Sequence, residues 1–177
     1  YLAYVQKSFE LTGATADDAK AQAAKVMALE TELAKASLAP VELRDPKNQY
    51  HFVSVADANK MTPHFDWNAF FKAQGVTIDK GFSLSQPKFF AEFDKLLASA
   101  PIDQWQAYLR FHAIDGAANA LSKSFVDNKF EFYGKTLSGQ PEQKPRWKRV
   151  LGQVNGSMGQ ALGHMSVDQM LDRQSVV

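Results

Sequence analysis

The run TADDAKAQAAKVMALETELAKAS, residues 15–37, decides the fold class. It is dense in Ala, Lys, Glu, Gln and Leu, all strong helix formers. Thr15 stands where an N-cap belongs, with Asp18 three residues on as its acidic partner. Ala19, Ala23, Val26, Glu30 and Leu33 fall on one stripe at helical spacing. Glu30 is expected at the stripe's edge, its carboxylate reaching solvent or a basic partner. The run reads as the longest helix of the chain, ended by the loop that holds Pro40 and Pro46.

The helical period extends in both directions. Upstream, Leu2, Val5, Phe9 and Leu11 predict a helix closed by Gly13. Downstream, Asp66 caps a short helix from Trp67 to Gln74, which Gly75 ends. Ser85 and Pro87 open another, with Phe89, Phe90, Phe93, Leu96 and Leu97 on a broad apolar face. Pro101 opens the next, with Ile102, Trp105, Leu109 and His112 on one face, and Tyr108 and Phe111 beside it. Leu121, Phe125 and Phe130 continue the pattern towards Gly134. Trp147, Val150, Leu151, Val154, Met158 and Leu162 mark a last long helix, interrupted by Gly152, Gly156 and Gly159, which suit either close helix packing or a bend. Between helices, residues 50–55 read as an extended arm in preference to a strand, and 55–60 as one helical turn. Val76-Thr77-Ile78 and Phe82-Ser83-Leu84 alternate like a brief strand pair. The expectation is an all-α, irregular domain of about seven helices with short extended segments.

Composition narrows the function classes. Lys and Arg number 20 against 19 Asp and Glu, a net charge of +1. That balance lacks the basic excess of a nucleic-acid binder, and the cluster Lys144-Pro145-Arg146-Trp147-Lys148-Arg149 is too short to supply one. No run approaches the roughly 18 apolar residues needed to span a bilayer. Cysteine is absent, which excludes disulfides, thiolate nucleophiles and cysteine zinc sites. The chain opens at Tyr1 already in a helical pattern, which reads as a cut made inside a longer protein, so that the absence of a targeting signal here says little about the parent.

Catalytic signatures are missing. There is no phosphate loop, no dinucleotide glycine fingerprint and no nucleophile turn. No two of His51, His64, His112 and His164 lie within five residues, so the i, i+4 pair of a helical zinc site is absent. Asp17-Asp18 sits at a helix start, where carboxylates meet the positive end of the helix dipole. Glu30 and Glu32 point to different faces and make no acid–base pair. His112 and Asp115 are i, i+3 neighbours within hydrogen-bonding reach, a structural pair in the absence of a nucleophile. The aromatics follow helical spacing and read as core.

An ordered set of phrases is more specific. Ala28-Leu29-Glu30-Thr31-Glu32-Leu33-Ala34 is followed by Arg44-Asp45-Pro46 and Tyr50, then Pro63-His64-Phe65-Asp66-Trp67. Pro87-Lys88-Phe89-Phe90 and Trp105-Gln106-Ala107-Tyr108-Leu109-Arg110 come next. Phe130-Glu131-Phe132-Tyr133-Gly134, Leu137-Ser138-Gly139, Pro145-Arg146-Trp147-Lys148-Arg149 and Ala161-Leu162-Gly163 complete it. Over residues 1–163 this series resembles the N-terminal helical domain of the neprilysin and endothelin-converting-enzyme family of zinc metallopeptidases. The absence of cysteine resembles its bacterial branch. Residues 164–177 depart from the family pattern and read as a divergent tail, or one added to the natural sequence.

The resemblance implies a non-catalytic domain that walls the substrate cavity and limits substrates to short peptides. Its partners would be its own C-terminal catalytic domain, which carries H-E-x-x-H and E-x-x-x-D with zinc, and the peptide. Neither motif occurs in the 177 residues, so no catalytic or metal residue carries over, the fragment itself needs no cofactor, and its substrate contacts stay unassigned. It further implies a periplasmic or secreted protein. An apolar face should await the catalytic half, on the aromatic helix Phe89 to Leu97 or the glycine-spaced helix Val150 to Leu162. The competing reading is a stand-alone helical module that binds a protein or peptide without enzymatic activity.

Overall fold

The computed structural model describes the backbone of residues 1–174 and side chains through Met170. It divides into two compact units, residues 1–129 and 130–177. The fold is all-α, with nine α-helices among the described residues and one two-residue strand pair.

The first unit is built around α1 (Leu2–Glu10), α2 (Ala16–Ala36) and α7 (Ile102–Ala117). Gly13, at φ +95°, turns the chain out of α1. Thr15 caps α2 in both directions: its Oγ1 accepts from the Asp18 N–H at 3.2 Å and donates to the Asp18 carboxylate at 2.8 Å. α2 lies against α1, α6 (Pro87–Ser99) and α7, while α8 (Lys123–Lys129) packs on α1. The buried side chains here are Tyr4, Val5 and Phe9 of α1, Ala19, Ala23, Val26 and Leu29 of α2, and Ala107 and Phe111 of α7. Each fully buried large apolar side chain contributes roughly 1.5–3 kcal/mol, so Phe9, Phe111 and Leu29 carry much of this core. The Phe111 ring meets Tyr1 and Tyr4 edge-on, with centroids at 6.0 and 5.9 Å.

A second cluster gathers Val53, Ala58, Trp67 and Leu84, with Phe65, Phe71, Phe82 and Phe90 packed against it. Downstream of α3 (Pro46–Gln49), it is framed by β1 (Phe52–Val53), α4 (Val55–Met61), α5 (Trp67–Ala73), β2 (Phe82–Ser83) and α6. The Trp67 indole N–H donates to the buried Thr62 hydroxyl at 2.8 Å. Among the described residues no buried side-chain nitrogen or oxygen lacks a partner.

Several expectations are corrected. Nine α-helices stand in place of about seven, because Asp45 and Ser54 cap two short extra helices, α3 and α4. The arm at residues 50–55 contains a strand, β1, which pairs antiparallel with β2 through Phe52–Ser83 and Val53–Phe82. Residues 76–78 take no part in that pairing. Gly81 makes it possible, since a Cβ there would sit 2.2 Å from the Val53 carbonyl oxygen. α6 is entered through Gln86, left-handed at φ +58°, not through a Ser85 cap. The Gln86 side chain instead accepts the Leu38 N–H at 2.8 Å, tying α6 to the end of α2. The inward face of α7 is also different. Ala107 and Phe111 are buried, whereas Ile102 and Leu109 are 74% and 63% exposed. The small Ala107 lets α7 lie close to the alanine-rich stripe of α2, while Phe111 packs against Tyr4 and Phe9 of α1.

The second unit begins with a π-helical segment, residues 130–137, where a continued α-helix was expected. Thr136 and Ser138 donate their hydroxyls to carbonyls five residues back, Glu131 and Tyr133, in keeping with the wider turn. α9 (Arg146–Gln174) follows as two helical stretches joined across a kink, so α2, with 21 residues, remains the longest unbroken helix among the described residues. Its backbone leaves helical geometry at Met158 (φ −130°, ψ 24°), between Gly156 and Gly159. The glycines therefore accompany a bend. The helix passes through residue 164 without a break, and the last part of the tail read over 164–177, residues 175–177, lies outside the described residues.

Candidate functional site

The polar groups singled out in the sequence become helix clamps. His112 Nε2 lies 2.9 Å from Glu30 Oε1, and Tyr1 donates its hydroxyl to the same oxygen at 2.8 Å. One carboxylate thus joins α1, α2 and α7. Glu30 is indeed at the edge of the α2 stripe and meets a basic partner. Tyr108 lies edge-on to His112 with centroids 4.3 Å apart. Burial, aided by the negative charge of Glu30, pushes the Tyr108 hydroxyl above its usual range.

His112 does not pair with Asp115. The Asp115 carboxylate accepts from the Tyr4 hydroxyl at 2.6 Å and faces the Lys129 ammonium at 3.2 Å. Lys129 also donates to the Asp115 carbonyl at 2.7 Å, so this residue ties α7 to α1 and α8. The separation arises because Glu30 and Tyr4 come from neighbouring helices and compete successfully with the local i, i+3 contact.

His64 forms a third clamp. The buried Asp94 of α6 accepts the His64 backbone N–H at 2.8 Å and faces its Nδ1 at 2.9 Å. Sequence reading missed this pair, since nothing local links positions 30 residues apart. His51 and His164 are exposed. Asp18 serves the α2 cap. Lys148 lies over the Trp147 ring at 5.3 Å, and Arg149 donates to the Lys144 carbonyl at 3.1 Å, which leaves the basic cluster as a local arrangement.

These clamps hold helices; none presents a nucleophile beside a base. Among the described residues no group of three or more His, Asp or Glu is placed to hold a metal ion. No described helix is long and apolar enough to cross a membrane.

The candidate functional surface is α9. Trp147, Val150, Leu151, Val154 and Met158 recur at helical spacing and are 63%, 47%, 54%, 37% and 58% exposed. With Arg146, the first four line an open depression of about 670 Å³. The other face anticipated from sequence, Phe89 to Leu97 on α6, is half-buried, with Phe90 packed on the Trp67 cluster. Of the two anticipated faces, only that of α9 stands open along its length.

Comparison with known proteins places this architecture. The profile of Peptidase family M13 matches residues 1–176. Neprilysin-2 of Drosophila melanogaster is 28% identical over 163 residues, covering 89% of this chain and 21% of that protein. Endothelin-converting enzyme 1 of Rattus norvegicus is 24% identical over 172 residues, covering 94% of this chain and 23% of that one. The zinc metalloprotease Zmp1 of Mycobacterium tuberculosis, solved in an open state, superposes with a TM-score of 0.90 at 32% identity. That match covers 95% of this chain and 26% of Zmp1. The chain thus spans about a quarter of the length of the relatives it matches.

Proposed function

The chain belongs to peptidase family M13, and from that premise we propose that it is the non-catalytic, cavity-walling helical domain of a neprilysin-like zinc metalloendopeptidase acting on short peptides. The superposition on Zmp1 over 95% of the chain carries this reading. The described residues do not fit a zinc ion, since they contain no ligand cluster. Zinc and its ligands would therefore belong to a catalytic domain supplied by the rest of the polypeptide. The task of this domain would be mechanical. A cavity that admits short peptides and excludes folded proteins needs walls that do not yield. The clamps Glu30–His112, Asp115–Lys129 and Asp94–His64 tie α2 to α7, α7 to α8, and α6 to the turn between α4 and α5.

The family resemblance supports an exported, periplasmic or secreted protein. Fractionating source cells and sizing the native product tests both proposals. The expected product is exported, much larger than 19.7 kDa, and continues into H-E-x-x-H and E-x-x-x-D. A product of 19.7 kDa would overturn the peptidase assignment and leave a helical binding module.

A further inference from the structure

α9 is built for burial. From Val150 to Val167 there is no Asp, Glu, Lys or Arg. A helix meant for water carries charges along its outer face, because they solvate it and form i, i+4 pairs. Four glycines, Gly152, Gly156, Gly159 and Gly163, lie in the same stretch. Each costs about 1 kcal/mol of helix stability relative to alanine, so tertiary contacts must hold this segment helical. The spacing puts Gly152 and Gly156, which precede the kink at Met158, opposite the ridge of Trp147, Val150, Leu151 and Val154. A Cβ at Gly152, Gly156 or Gly163 would meet nothing within 4 Å. Both faces of the helix are open.

The unit that contains α9 cannot supply the missing cover. Among the described residues of 130–170, Gly134 alone is buried, and no apolar side chain is. A unit without a core does not hold itself together.

We propose that the ridge Trp147–Val150–Leu151–Val154–Met158 is the docking face for an apolar helical segment of the same M13 polypeptide, one lying outside these 177 residues. The inference rests on the peptidase reading above and adds the face to it. The argument for this occupant is length: the relatives carry about three-quarters of their chain beyond the part matched here. A second copy of this chain is the alternative that the experiment must separate.

The absence of cysteine makes the test direct. Leu151→Cys and Val154→Cys are made separately in the full-length native protein, and maleimide modification at each position is followed by peptide mass spectrometry. Each rate is compared with the rate at the same position in urea. Local protection by packing predicts slowing by about tenfold or more under native conditions. A rate within about twofold of the unfolded value would overturn the proposal, because an uncovered helix offers no such protection. A cysteine-directed cross-linker at position 151 then identifies the cover. The expected adduct joins a peptide of the same polypeptide from outside residues 1–177. An adduct to α9 of a second copy would overturn the assignment of the occupant. Peptide hydrolysis is measured on the same samples: an active peptidase with unprotected positions defeats this inference alone, whereas a native product of 19.7 kDa defeats the peptidase reading with it.

Discussion

Glu30 shows how single residues hold this domain. One carboxylate oxygen takes the Tyr1 hydroxyl and the His112 ring, and its charge reaches Tyr108. Tyr108 titrates above its ordinary 10.0, chiefly because burial disfavours the tyrosinate and secondly because Glu30 repels it. A folded-state value above the unfolded one means that the neutral hydroxyl is favoured by the fold. That contribution is complete below pH 10 and is lost as pH rises through the raised value. Tyr108→Phe removes the titration. Urea unfolding at increasing pH should show the variant gaining on the parent above pH 10. Stability curves that stay parallel there would refute the assignment. The edge position of Glu30 was legible from the α2 stripe, but its partners were not. Tyr1 and His112 lie 29 and 82 positions away in the chain, and helical periodicity carries no information about such contacts.

The elements were legible where the signal is local. The Thr15 and Asp66 caps, the Gly13 and Gly75 exits and the Pro87 start all follow from residues within one turn of the helix end. The strand pair was not legible, because β1 and β2 are two residues each and pair Val53 with Phe82 and Phe52 with Ser83 across a long intervening stretch. Its tolerance is nonetheless predictable from one position. A methyl group at Gly81 would strike the Val53 carbonyl, which is backbone and cannot rotate away. Gly81→Ala should therefore cost about 1–3 kcal/mol in urea unfolding, as overpacked positions do. An unchanged midpoint would mean that the two strands are not held as closely as described. The inward face of α7 illustrates a different limit. Period alone offered Ile102 and Leu109, whereas the packing selected Ala107 and Phe111. Which stripe of a broadly apolar helix turns inward depends on the shape of its neighbour, here the alanine-lined α2.

At the scale of the molecule, the two units differ in self-sufficiency. Residues 1–129 contain two buried clusters, and their buried polar side chains are satisfied. The described part of the second unit buries no apolar side chain and presents an uncharged, glycine-spaced helix. From this helix the sequence offered the apolar spacing and the glycines; the charge-free run from Val150 to Val167 gains its meaning only beside the exposure of the ridge. The proposed cavity wall, completed by another part of the same polypeptide, would account for both units: a frame with its own core, and a helix awaiting cover. The most direct measurement is hydrolysis of a short fluorogenic peptide by the native full-length protein, set beside the 177-residue chain. The account predicts that the native protein cleaves the peptide, loses activity to a zinc chelator and regains it with zinc, while the 177-residue chain cleaves nothing. Chelator-sensitive cleavage by the 177-residue chain alone would contradict it.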